Sequence, residues 1–131
     1  MCIYSSILRK QPKGAVVGYR IFDVGDDGVH SLYNDEAAVW PRSNTTPKPP
    51  TLNRNFGFHA LSTLRRARNF RDIGFGRIAA KVRGSGVVVR HRTGFRSSRM
   101  TILRFYVPSY FPKSYAAALR SVYRVPVEYL P

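Results

Sequence analysis

Between Arg77 and Val107 apolar and basic residues alternate with a period of two, and that pattern restricts the fold more than any other feature. In Arg77-Ile-Ala-Ala-Lys-Val82, Ile78, Ala80 and Val82 stand against Arg77, Ala79 and Lys81. Val87-Val-Val-Arg-His-Arg92 sets Val88, Arg90 and Arg92 against Val87, Val89 and His91. Met100–Val107 sets Ile102, Arg104 and Tyr106 against Thr101, Leu103, Phe105 and Val107. Helices cannot sort residues this way, whereas antiparallel strands with one wet face do so naturally. Gly84-Ser-Gly86 and Thr93-Gly94 supply turn residues between the runs, with Gly94 expected at positive φ. A three-strand meander in matching register would line Arg77, Lys81, Arg90, Arg92 and Arg104 with Tyr106 on one face.

The flanks complete a domain. Val16–Val24 is rich in β-branched and aromatic residues, Gly25-Asp-Asp-Gly28 is a turn, and Val29–Tyr33 reads as the returning strand of a hairpin. A helix is expected after Ser62 or Thr63 as N-cap, with Leu64, Ala67 and Phe70 at i, i+3 and i+6. Arg65 and Arg66 in its first turn oppose the helix dipole, which hints at an anion nearby. A second helix, Ser114–Tyr123, is expected with Ser114 as cap and Tyr115, Leu119, Val122 and Tyr123 facing the core. The four prolines of 41–50 exclude a helix or central strand there, so about 41–55 reads as a Pro-rich surface loop. With 131 residues, 44% of them hydrophobic, the chain is the size of one domain and can bury a core. The expectation is an α+β single domain over 1–131: a small antiparallel sheet, made of the hairpin and the meander, with two short helices.

Charge points to a partner class. Lys and Arg number 22 against 7 Asp and Glu, a formal net of +15. Five of the acids (Asp23, Asp26, Asp27, Asp35 and Glu36) fall in the first 36 residues, which carry a net −1, while 37–131 carry +16. From Arg65 to Arg104 the net is +11, with Asp72 the single acid. Arginine supplies 17 of the cations, and its planar fork pairs bidentately with phosphate and stacks on bases. The candidate phosphate-binding residues are Arg65, Arg66, Arg68, Arg77, Lys81, Arg83, Arg90, Arg92, Arg96, Arg99 and Arg104, with His59, His91 and Tyr106 as secondary candidates. Phe75, Phe95, Tyr106 and Tyr110 are rings that could stack bases among these cations. No helix-turn-helix, zinc-finger, RNP or KH pattern accompanies them, so readout of a particular sequence has no support.

Catalytic and metal chemistry find little. Cys2 is the only cysteine, which excludes a disulfide framework and a cysteine zinc site. His30, His59 and His91 have no ligand spacing, and the basic part of the chain offers only Asp72 and Glu128 as carboxylates. The acidic cluster between Asp23 and Glu36 lies mostly at the turn tip and reads as a solvated turn rather than a metal site. Gly74-Phe-Gly76 and Gly84-Ser-Gly86 match no phosphate-loop or dinucleotide fingerprint. Neither a membrane-length apolar run nor a signal-peptide core is evident, so a cytoplasmic protein without membrane, metal or cofactor is expected.

Gly57-Phe-His-Ala60, Gly86-Val-Val-Val-Arg-His91, Gly94-Phe-Arg96 and Phe105-Tyr-Val-Pro108, with Gly18-Tyr-Arg20 and Leu32-Tyr33 before them, form a recurring pattern. From Gly57 to Pro108 the chain resembles a group of small uncharacterised bacterial and phage proteins. The resemblance carries no activity but implies a phage or mobile-element setting. Members of the group often have cysteines where this chain has 53–56, and an acid where it has Ser97-Ser98, and the second departure favours binding over turnover. The expected function is a non-enzymatic basic protein that engages nucleic acid or a nucleic-acid-containing complex, as an inhibitor of host defence in the host cytoplasm. One alternative is a small nucleotide-binding protein, enzyme or sponge, in which His59, His91 and Arg96 converge on phosphate. Others are a structural part of a ribosome-like or virion particle, or a partner to an acidic host protein.

Overall fold

A computed structural model describes residues 7–9, 16–31, 39–46, 50–51, 56–70, 72–74 and 76–131. The strands are β1 (Ile7–Arg9), β2 (Val16–Gly25), β3 (Gly28–Ser31), β4 (Ser43–Thr45), β5 (Phe58–Leu61), β6 (Arg77–His91), β7 (Gly94–Val107) and β8 (Val127–Tyr129). The helices are α1 (Leu64–Phe70) and α2 (Lys113–Tyr123). Of the described residues 55% are in strands and 17% in helices, which makes the fold predominantly β and corrects the α+β expectation. The sheet is also mixed rather than purely antiparallel, because β8 runs parallel to β7.

The meander fails at Gly84-Ser-Gly86. Those residues do not reverse the chain; they form an irregularity inside a single 15-residue strand, β6. Gly86 takes φ 75°, and the amide of Val87 donates to Ser98 Oγ at 2.9 Å. A bulge inserts a residue and bends a strand without ending it. The two runs on either side of it therefore fuse, and Gly94–Arg99 likewise joins Met100–Val107 as β7. One long, coiled hairpin replaces three short strands. Gly94 is not at positive φ. It is required because a β-carbon there would run into the carbonyl oxygen of Ala60 on β5.

The β2–β3 hairpin forms as expected, with Phe22 opposite Ser31 and Gly25 opposite Gly28. β2 pairs along β6 from Val16–Gly84 to Asp23–Arg77 without a shift in register. β5 lies between β7, which it meets over four residues, and β2, which it meets only at Tyr19–Leu61. The path β6–β2–β5–β7–β6 therefore closes on itself. Part of the Pro-rich stretch joins the sheet as well, since Ser43–Thr45 pairs with β7 at one end of the strand order. Cys2, Leu32, Tyr33, Asp35, Glu36, Phe75 and 52–55 lie outside the described residues.

Alternation along β2 and β6 divides the interior into two layers. Phe22, Ile78, Ala80 and Val82 enter the main core with Phe105, Val107 and the α2 residues Ala116, Leu119 and Tyr123. Ile21 and Ala79, on the other face, pack with Leu61 and with Ala67 of α1. The helices thus cover opposite faces. Thr63 caps α1 through the amide of Arg66 (3.1 Å). Ser114 does not cap α2; Pro112 holds that position with no side-chain bond, and Arg124 ends the helix in a left-handed conformation. The buried stripe of α2 begins at Ala116, so Tyr115 and Val122 are 51% and 61% exposed rather than in the core. Inside the main core the Tyr123 hydroxyl donates to the Trp40 carbonyl (2.6 Å) and accepts from the Val29 amide (2.9 Å).

Candidate nucleic-acid interface

The face of the sheet that carries α1 also carries most of the predicted cations. Ala79 marks this face, and Arg77, Lys81 and Arg83 share it by strand alternation. Tyr19 stands opposite Lys81 on one side and Arg104 opposite it on the other. Tyr106 stands opposite Ala79, and its ring lies 6.1 Å from that of Tyr19. Arg83 faces Thr101, and Arg99 faces Ser85 and Thr45. Arg65, Arg66 and Arg68 project from α1 as exposed side chains on the same side of the molecule.

Acids on this face are few. Arg104 reaches Glu128 at 3.3 Å and Arg68 reaches Asp72 at 3.6 Å, both at exposed positions where such pairs contribute little. Asp23 stands opposite Arg77. Among the described residues eight cations therefore share a surface with three acids, and Lys81 directly opposes Arg104. Like charges facing each other across a strand pair destabilise a sheet, so a bound polyanion would relieve this surface. Burial raises the pKa of Tyr106 above the usual phenol value, with Tyr19 and Glu128 adding to it, so the ring remains a neutral stacking surface.

Other candidates lie elsewhere. Arg90 stands opposite Phe95 and Arg9, past the bulge, and Arg92 is exposed at the end of the long hairpin. The expected row of five basic residues is therefore broken after Lys81, because in one continuous strand Arg90 falls on the alternate set that carries Val82 and Val88 into the main core, not on the set of Arg77 and Lys81. Phe95 is 3% exposed and fills the core, so it stacks on no base. Tyr110 is exposed beside α2, at the other layer. Tyr19 was not among the sequence candidates. Alternation within Val16–Val24 could have indicated it, but only once the register of that strand against Lys81 was known.

His59, His91 and Arg96 do come together, as the nucleotide alternative requires, but Arg96 is wholly buried. Its Nε donates to His91 Nε2 (3.0 Å), and its two Nη atoms donate to the carbonyls of Phe56 (3.2 Å) and Thr51 (2.8 Å). His59 stands opposite Arg96 in the β5–β7 pairing, and its carbonyl accepts from Arg20 at 2.9 Å. Burial, then the Arg20 and Arg96 charges, lowers the pKa of His59 to about 4. Burial and Arg96 lower that of His91 to about 4 as well. Both imidazoles are neutral at pH 7. The guanidinium is directed at carbonyls that tie residues 51 and 56 to the sheet, which makes Arg96 a latch rather than a surface cation.

Among the described residues no group of three His, Cys, Asp or Glu side chains could hold a metal ion, and no helix is long and apolar enough to cross a membrane. No protein-family model matches the chain, and no curated protein or solved structure is significantly similar to it.

Proposed function

We propose that the α1 face binds single-stranded nucleic acid, free or within a nucleoprotein complex, with cations on phosphates and tyrosines against bases. The observation that carries this reading is the row Tyr19–Lys81–Arg104, with Tyr106 packed on Tyr19 beside it. Cations tracking a backbone beside rings that stack bases are the recurring parts of sequence-tolerant single-strand binders. The protein acts in this reading by occupancy, without turnover.

The test is affinity for labelled single-stranded DNA, RNA and duplex DNA across a salt series. Log affinity should fall linearly with log salt, by about 0.7 for each phosphate neutralised on a single strand. The Lys81→Glu/Arg104→Glu variant should lower both affinity and slope. Lys113→Glu/Arg120→Glu alters the net charge equally on α2, at the opposite layer, and should affect both far less. Equal effects of the two variants, or single-strand binding too weak to measure at low salt, would overturn the assignment.

A further inference from the structure

Beside the N-terminus of α2 lies a cavity of about 190 Å3, between the β2–β3 turn and the segment that leads into β6. Tyr110, Phe111 and Tyr115 supply its aromatic surface, Gly74 and Gly76 line it without side chains, and Asp26 is the single charged residue among the described lining. Tyr110 and Tyr115 are 64% and 51% exposed, although large rings of this kind are usually covered. A β-carbon on Gly76 would meet nothing within 4 Å, and one on Gly74 only the Tyr110 hydroxyl at 3.7 Å, so nothing described fills the space above these glycines.

We propose that this cavity docks a basic segment of a protein partner, taking one arginine or lysine head against Tyr110 and Tyr115 with Asp26 as its counter-charge. Three observations select that occupant. The volume lies below the roughly 300 Å3 at which cavities begin to take whole small molecules, and suits a single side-chain head. Aromatic faces attract cations, and the carboxylate of Asp26 adds an opposite charge at the same place. The neighbouring Asp27 is already held by His30 at 2.9 Å, while Asp26 has no ion pair among the described residues.

A nucleic acid fits this place poorly, because Asp26 and Asp27 would repel its phosphates. A protein segment fits better for a further reason. Tyr115, Ala118 and Val122 lie at i, i+3 and i+7 on α2 and are exposed, forming an apolar stripe that starts at the cavity wall. A chain lying along that stripe would bury it while one side chain enters the cavity. This site faces away from the α1 layer and is independent of the polyanion reading.

The test is an amide-shift NMR titration of the full chain with N-acetyl-arginine methylamide and, in parallel, with the neutral citrulline analogue. The arginine probe should move the resonances of Asp26, Gly74, Gly76 and Tyr115, and bind about fivefold or more tightly than the citrulline probe. Asp26→Asn and Tyr115→Ala are both at exposed positions, and each should reduce the arginine preference while leaving the thermal midpoint unchanged. Equal binding of the two probes, or no shifts around the cavity, would overturn the proposal. Shifts of these same residues on concentrating the protein alone would instead assign the cavity to a second copy of the chain, and would also overturn it.

Discussion

The ring of Phe95 occupies the volume that a β-carbon on Gly84 would need, and it approaches Gly18 from the same core, 2.8 Å from where that residue's β-carbon would sit. The two glycines, on the paired strands β2 and β6, leave the room in which this ring lies against their backbones. Gly84→Ala should destabilise the protein by about 1–3 kcal/mol through overpacking. Phe95→Leu makes room, so the double variant should lose less than the sum of the two single losses. Urea unfolding of the four proteins measures the coupling. Gly94→Ala meets backbone rather than a ring, and Phe95→Leu should not rescue it.

Arg96→Met should cost about 3 kcal/mol or more, because it removes a buried guanidinium that donates to His91 Nε2 in the interior and to the carbonyls of Thr51 and Phe56. Arg96→Lys should recover little of this, since one ammonium cannot reproduce the fork. Chemical denaturation gives the loss. Hydrogen exchange should rise first at residues 56–58, where the segment held by Arg96 leads into β5, and an unchanged exchange pattern would refute the latch.

Acid should unfold the protein early. His59 and His91 have folded pKa values of about 4, below the ordinary 6.5 of an unfolded chain. Between those values the unfolded state binds protons that the folded state refuses, so stability is complete above about pH 6.5 and is lost as pH falls toward 4. The loss is on the order of 3 kcal/mol for each histidine and less than double for the two, which interact. Thermal midpoints from pH 7 to pH 4 should trace this fall, and His91→Gln should flatten it. A flat profile in the parent protein would contradict the neutral, buried assignment.

Tyr123→Phe should cost about 2 kcal/mol with little change in shape, because the Val29 amide and the Trp40 carbonyl each lose their partner in the core. A loss confined to a few tenths of a kcal/mol would mean that the two groups find water.

Local chemistry made several elements readable. The β2–β3 hairpin follows from Gly25-Asp-Asp-Gly28 between β-branched runs, and α1 begins at Thr63 because a threonine stands before the first helical turn. What could not be read was whether a glycine turns the chain, bulges it or makes room for a neighbour. Gly84, Gly86 and Gly94 look alike in sequence and serve as a packing gap, a bulge and a backbone crossing point. That ambiguity turned two long strands into three short ones and placed Arg90 and Arg92 on the wrong row. Arg77, Lys81, Arg104 and Tyr106 kept their common face because Ala79 and Lys81 pair directly with Tyr106 and Arg104; Ile102, expected beside them, instead enters the main core with Val82, since the β6–β7 register shifts between Lys81 and Val82. Arg96 looked like any other arginine, since burial depends on the loop carbonyls it meets and these lie 40 and 45 residues away.

A chain this rich in strand has reason to aggregate through unpaired edges, and the arrangement of short strands removes most of that hazard. One side of β7 is tiled in turn by β5, β4 and β8, while the other is taken by β6. β2 is flanked by β6 on one side and by β3 and β5 on the other. Apart from residues 85–89 of β6, between its pairings with β2 and β1, the outer edges left open among the described residues belong to strands of three or four residues, too short to template a second sheet. Self-association is thereby left mainly to side chains rather than to backbone pairing, and the like charge of neighbouring copies opposes even that.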